Sequence, residues 1–223
     1  LYEVAYVGFS NMRGMGTPRD GRPLSDASRP FDKSRNGFVL GEGAGTLIIE
    51  DLEYAKARGA KIYAEVVGYG SANDAFDLIQ PVADGDGTRR AIEQALERHG
   101  APRDEIDLIN PHGSSTPLGD LRESQAFEAV FGERVKDVAV TGTKSLTGHL
   151  MGAAGAVEAV ITVLSVHNQT APATLHYEEP DPELKVNVVH GESREMEIRY
   201  AMSDNVGLGG HNGAVIFKRY MGD

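Results

Sequence analysis

Two histidine segments are the residues in this sequence best placed to do chemistry. The first reads Asn110-Pro111-His112-Gly113-Ser114-Ser115-Thr116-Pro117-Leu118-Gly119-Asp120. The second reads Thr143-Lys144-Ser145-Leu146-Thr147-Gly148-His149-Leu150-Met151-Gly152-Ala153-Ala154-Gly155. Each comes after a short apolar run that reads as a buried strand, and each precedes a helical pattern. Strand ends that face helix starts are where α/β sheets collect catalytic groups. At a helix N-terminus, His149 would meet a dipole that opposes its protonation. A neutral imidazole can donate one N–H to a developing oxyanion. A histidine taken alone is more often a satisfied structural residue; it is the pairing, with Gly and Ser/Thr around both, that favours a site. His99, His167, His176, His190 and His211 have no such setting and are read as structural. Lys144 and Glu158 flank His149. A buried lysine needs a counter-charge, which Glu158, on the side of Gly155, could supply. Two solvated surface charges stand equally open at this stage.

Other signals are weaker. Gly41-Glu42-Gly43-Ala44-Gly45 resembles a dinucleotide loop, but a strand pattern comes after it instead of a helix, so a phosphate site is not expected there. The same holds for Gly207-Leu208-Gly209-Gly210. Asp84 and Asp86 have two of the spacings of a calcium loop and lack the rest. There is no Gly-x-Ser-x-Gly elbow.

The elements that must position the two histidines are set by pattern and punctuation. Strands are expected at Thr46–Glu50, Ile62–Tyr69, Ile106–Asn110, Val138–Gly142, Val186–Val189 and Ala214–Tyr220. Helices are expected at Leu52–Arg58, from an N-cap at Thr88 to about His99 with Gly100 ending it, within Pro117–Phe131, and over Gly148–Val166. Thr17–Arg35 and Ala171–Pro182 read as loops, and Asn205–Gly213 as a glycine-rich turn. The alternation implies an α/β layer over a mixed sheet. A boundary falls near Gly59. The residues after it read as a complete unit. Those before it read as the tail of another, with too little sequence around its strand and helix to cover both faces.

Composition bounds the function. The 223 residues carry a net charge of −11, which argues against nucleic-acid binding. There is no cysteine, so thiolate catalysis, disulfides and cysteine-ligated zinc are excluded within these residues. No apolar run approaches the ~20 residues of a membrane span, and the sequence opens without a secretory pattern, so a cytoplasmic protein is expected.

The segments together resemble the elongating β-ketoacyl-acyl-carrier-protein synthases of fatty-acid synthesis and the related ketosynthase domains of polyketide synthases. The matching residues are Arg29-Pro30-Phe31-Asp32, Gly37–Gly45, His112–Asp120, Lys144–Glu158, and Asn205–Gly213 with Ile216-Phe217. The resemblance implies a thiolase-like, layered α/β/α fold with a mixed five-stranded sheet. Residues 60–223 would be its C-terminal half, and residues 1–59 the tail of an N-terminal half that carries the family's nucleophilic cysteine upstream. It implies decarboxylative Claisen condensation of malonyl carrier protein with an acyl-enzyme. His112 and His149 would be paired N–H donors to the enolate, and Lys144 and Glu158 a supporting ion pair. Ser114 and Thr116 would contact the pantetheine arm, and the Leu208 N–H would bind the acyl oxyanion. Phe9 would pack near the acyl gate. Arg13 and Arg19 would dock the acidic acyl carrier protein at the pocket mouth. A homodimer is implied, as are no metal, no nucleic acid and no membrane; the phosphopantetheine arrives on the carrier protein, so no cofactor is resident.

The sequence departs from the family at several points. Ser114 stands where threonine is usual, Leu208 where a phenylalanine gates the acyl pocket, and Asp77 and Ile79 where His and Thr are common. A non-catalytic partner subunit of the chain-length-factor kind would keep the fold and lose the chemistry; intact His112, Lys144 and His149 argue against that reading. A nucleotide-binding domain is disfavoured by the strand after each glycine-rich loop.

Overall fold

A computed structural model describes residues 2–98 and 101–222. In chain order its main elements are α1 (Glu3–Asn11), α2 (Leu52–Ala57), β1 (Glu65–Asn73), α3 (Asp86–Arg98), β2 (Ile106–Asn110), α4 (Pro117–Phe131), β3 (Ala139–Val140), α5 (Lys144–Thr147), α6 (Ala154–Asn168), β4 (Thr170–Ala171), β5 (Asn187–Val188), β6 (Arg194–Glu195), β7 (Tyr200–Gly207) and β8 (His211–Lys218).

The main sheet has six strands in the order β1-β8-β7-β2-β3-β5. β7, β2, β3 and β5 run parallel, while β8 is antiparallel to both β7 and β1. The mixed sheet is as expected; the strand count is not. β7 is hidden in the sequence because Tyr200–Gly207 mixes Ser203, Asp204 and Asn205 into its run, so it reads as the flank of a turn. The register Asn205↔Gly213 and Gly207↔His211 shows that the turn itself is confined to 208–210.

Buried strands require near-continuous apolar runs, and Ile106, Leu108, Ile109, Val138, Ala139 and Val140 are all fully buried. One face of the sheet is covered by α3 and α4, which meet around Ile92, Leu96, Phe127, Val130 and Met202. The other is covered by α6, through Val166 against Leu108, Ala201 and Phe217. α3 lies unusually close to β1, since a Cβ at Gly70 would stand 1.9 Å from the Ala91 carbonyl oxygen. Only glycine permits that approach.

Several expected boundaries move. α3 begins at Asp86, so Thr88 lies inside the helix and its hydroxyl donates to Asn212 Oδ1 instead of capping. The expected end at His99 and Gly100 falls outside the described residues. Thr46–Glu50 forms no strand: no described strand pairs with it along the backbone, and Ile48 and Ile49 stay exposed. α4 spans Pro117–Phe131 as expected, with Thr116 Oγ1 accepting from the Gly119 N–H at its start. The single helix expected over Gly148–Val166 starts later: Gly148 ends the short α5, a turn follows at Met151–Ala153, and α6 begins only at Ala154. The stretch Met151–Asn168 is long and apolar enough to cross a membrane by length and composition, contrary to the expectation from sequence. In this fold α6 packs on β7 and β8 and holds Glu158 in an ion pair.

Candidate active site

Parallel strands β2 and β3 end side by side, so the turns after them share one edge of the sheet. The first turn carries His112 and the second leads through α5 to His149. The two imidazoles meet with ring centroids 4.9 Å apart and planes at 76°. Both line one cavity of about 980 Å³, together with Ser114, Thr116, Phe9 and Leu208.

His149 is held through its backbone. Its N–H donates to the Val39 carbonyl at 2.6 Å, and its carbonyl accepts from the Gly41 N–H at 3.0 Å. The close approach requires glycine, because a Cβ at Gly41 would stand 2.2 Å from the Thr147 carbonyl oxygen. The glycine run that resembles a phosphate loop therefore acts by fitting under the histidine segment. The imidazole is oriented by the Met151 N–H, which donates to Nδ1 at 3.1 Å. A backbone N–H cannot accept, so the ring proton of neutral His149 sits on Nε2.

Lys144 and Glu158 form a buried pair: Nζ lies 2.5 Å from Glu158 Oε1, with the side chains 1% and 2% exposed. This closes the alternative of two solvated charges. Nζ also donates to the His112 carbonyl at 2.5 Å. Glu158 Oε2 accepts from Asn205 Nδ2 at 2.9 Å, and Asn205 Oδ1 lies 3.2 Å from His112 Nδ1. Lys144, Glu158, Asn205 and His112 thus make a closed ring of contacts.

This setting keeps both histidines neutral. Burial first, then the charge of Lys144 and the neighbouring His149, hold His112 well below its ordinary value, against the pull of Asn205. Burial and Lys144 bring His149 down to about 3. The helix dipole invoked for His149 is not the cause, since α6 starts only at Ala154. Burial raises Glu158, while Lys144 and Asn205 oppose the rise and favour its ionised form.

Behind the ring stands a second acidic layer that sequence reasoning missed. Asp120 accepts from the Phe31 and Ser115 N–H groups and lies 3.7 Å from Arg35. Glu123 accepts from the Gly113 N–H. Asp204 sits near Glu123 on β7, and burial raises both carboxyls, Asp204 to about 7. The available signal was the helical spacing of Asp120 and Glu123 with Phe127, which puts the acids on the face that faces the core.

The other expected residues take different places around the cavity. Ser114 Oγ and Thr116 Oγ1 are hydrogen-bonded at 2.9 Å on its wall. Phe9 packs edge-on against Phe38 at 5.3 Å, and Phe38 in turn against His149 at 5.3 Å. Leu208 is 54% exposed at the tip of the β7–β8 turn. Ile79 lines the cavity, whereas Asp77 is exposed and accepts from the Ile79 and Gln80 N–H groups. Arg13 is exposed at the cavity rim. Arg19 pairs with Asp26 at 2.6 Å and Glu178 at 3.2 Å and donates to the His176 carbonyl. Among the described residues no group of three or more His, Cys, Asp or Glu is arranged to hold a metal ion.

Residues 63–178 match the family model "Beta-ketoacyl synthase, C-terminal domain", and residues 1–55 match "Beta-ketoacyl synthase, N-terminal domain". The 3-oxoacyl-[acyl-carrier-protein] synthase 2 of Staphylococcus aureus (strain COL) is 45% identical over 220 residues, covering 99% of this chain and 52% of that protein. The chain spans about half the length of the curated relatives it matches. Among solved structures, a type II polyketide synthase acyl-carrier protein in complex with its ketosynthase superposes with a TM-score of 0.95 at 33% identity, over 99% of this chain and 54% of that one. A beta-ketoacyl synthase from Burkholderia phymatum STM815 gives 0.91 at 39% identity, over 99% and 52%. The fold is thiolase-like.

Proposed function

The chain belongs to the β-ketoacyl synthase family, and from that premise we propose that it is part of a 3-oxoacyl-acyl-carrier-protein synthase, the condensing enzyme of fatty-acid synthesis. The observation that carries this reading is the histidine pair on one cavity, backed by the buried Lys144–Glu158 pair. In the reaction an upstream cysteine thiolate attacks the thioester of acyl carrier protein; the bond from the acyl carbon to the pantetheine sulfur breaks, the carrier's thiol leaves, and the acyl group stays on the cysteine as a new thioester. Malonyl carrier protein then binds. The bond between its carboxylate and α-carbon breaks, carbon dioxide leaves, and the electron pair forms an enolate. The α-carbon attacks the acyl thioester carbonyl, and the cysteine thiolate leaves. The enolate is the species that needs stabilising, and an N–H aimed at its oxygen in a dry site is the means. His149 Nε2–H is that donor. Ser114 and Thr116 hold the pantetheine arm, and the Leu208 N–H serves the acyl oxyanion.

The partner is acyl carrier protein, approached at the rim by Arg13. Arg19, partly exposed while paired with Asp26 and Glu178, is the second docking residue. Residues 1–59 and 60–223 fall in the two halves of the thiolase-like fold. The 223 residues alone, without cysteine, have no nucleophile for the covalent step and make no product. The test is the full-length protein with acyl and malonyl carrier protein. It should release carbon dioxide and form 3-oxoacyl carrier protein, and His149→Ala should lower the rate by about 10²–10³-fold, the loss typical of one oxyanion donor. No product from folded full-length protein with both carriers would overturn the reading.

A further inference from the structure

The closed ring of contacts has one member to which the resemblance assigns no role. Asn205 lies on β7 opposite Gly213, and alternation along the strand sends it toward α6 while Asp204 faces α4. Its amide has one donor end and one acceptor end, and the network dictates which is which. Glu158 is paired with Lys144 and its carboxylate can only accept, so the group 2.9 Å from Oε2 must be the Nδ2 donor. The acceptor Oδ1 is then left facing His112 Nδ1 at 3.2 Å. A carbonyl oxygen cannot donate, so the nitrogen opposite it must carry the proton. A neutral imidazole holds one proton, so His112 Nε2 is left bare. Nε2 has no partner among the described residues, and His112 lines the cavity.

His149 is built the other way round. The Met151 N–H occupies its Nδ1, and Nε2 carries the hydrogen. The two rings stand 4.9 Å apart on one wall.

We propose that Asn205 is a positioning residue that fixes His112 in the Nδ1–H form, so that the two histidines present opposite faces to the ligand: His149 a donor, His112 an acceptor. This rests on the condensing-enzyme reading and alters it at one point. The resemblance implies two N–H donors to one oxyanion. The ring of contacts implies instead one donor for the enolate oxygen and one acceptor for a proton-bearing group beside it. Because Asn205 bonds to Glu158, the state of the ion pair is transmitted to the tautomer of His112. A leucine at 205 would cut that link without adding charge. An aspartate would keep the acceptor toward His112 and lose the donor toward Glu158.

The test reads the tautomer directly and does not require turnover. Full-length protein is labelled with 15N at histidine. His112 is assigned by the signal missing in His112→Gln, and one-bond and two-bond couplings show which ring nitrogen holds the proton at neutral pH. The expected result is Nδ1–H for His112 and Nε2–H for His149. Asn205→Leu should remove the His112 preference for Nδ1–H while His149 stays unchanged, and Asn205→Asp should retain it. Folding of each variant is checked by circular dichroism; if Asn205→Leu does not fold, the wild-type and Asn205→Asp spectra still decide. An Nε2–H tautomer for wild-type His112 overturns the proposal, as does an unchanged Nδ1–H tautomer in folded Asn205→Leu. Failure of the condensing-enzyme reading would show separately, as a protein with these tautomers and no 3-oxoacyl product.

Discussion

Replacing Lys144 by methionine should be among the most damaging single changes outside the apolar core. Methionine keeps the length of the side chain and removes only its charge and donors. In the protein the ammonium touches Glu158 Oε1 and the His112 carbonyl, each at 2.5 Å, and both side chains of the pair are at most 2% exposed. The variant leaves Glu158 with the Asn205 amide alone and the His112 carbonyl with no side-chain donor. Removing one partner of a buried pair costs about 3–5 kcal/mol, because the other charge remains desolvated. At ~2–4 °C per kcal/mol for chains near this length, the melting temperature should fall by roughly 6–20 °C. Glu158 can escape part of the penalty by binding a proton, since burial already raises it and the opposing cation is gone. A carboxyl raised in the folded state contributes most below its unfolded value of 4.5 and loses that contribution as pH rises. The deficit of the variant should therefore widen from pH 5 to pH 8. Urea unfolding monitored by circular dichroism measures it. Lys144→Met with Glu158→Gln removes both charges and should recover most of the loss. A single-variant cost below ~1 kcal/mol, the range of an exposed pair, or a double variant no better than the single, would refute the argument.

Neutral His149 predicts an acid-sensitive stability. The unfolded chain takes up a proton near 6.5 that folded His149 refuses until about 3, so stability should fall as pH drops through that window, and His149→Gln should lack that part of the slope; an identical slope would refute the neutral assignment. Charge reversal in Arg13→Glu should raise the apparent KM for carrier-bound substrate several-fold at low salt and less at high salt, where steering is screened; an unchanged value at low salt counts against docking at the rim. Leu208→Phe should shift the full-length enzyme toward shorter acyl primers, at ~0.8 kcal/mol for each methylene excluded; the same profile across primer lengths would remove Leu208 from the pocket wall.

What the sequence made legible here was chemistry tied to a local pattern. His112 and His149 stand out because each sits where a buried apolar run gives way to Gly and Ser/Thr, and the two strands turn out to be neighbours in the sheet. Lys144 and Glu158 are legible as a pair but not as buried, since burial depends on how α6 lies against β7. Asn205 and Asp204 are illegible for a related reason. A strand with polar residues at three successive positions does not look buried, yet two of those side chains face groups from other elements: Asn205 meets Glu158 and His112, and Asp204 lies by Glu123. The start of α6 is misplaced by pattern because Leu150, Met151 and Ala153 are good helix formers, while the backbone there is drawn away by contacts with residues 39–41.

Those contacts also bear on the boundary near Gly59. Residues 26–41 are bound into the later unit by their polar groups. The Phe31 N–H serves Asp120, the Arg29 N–H meets Ser115 Oγ, and Ser28 Oγ donates to the Lys144 carbonyl. Asp32, fully buried, accepts from the N–H groups of Glu178 and Glu179. Each of these is a donor or acceptor inside the protein, and a buried polar group left without its partner costs about 1–3 kcal/mol. A chain begun at residue 60 would lose several at once, and Asp120 would lose Arg35 and the Phe31 N–H together. His149 would lose both backbone bonds that hold it at the cavity. Residues 26–41 precede Gly59 in the sequence, yet through these contacts they help to hold the two histidines in place at the cavity.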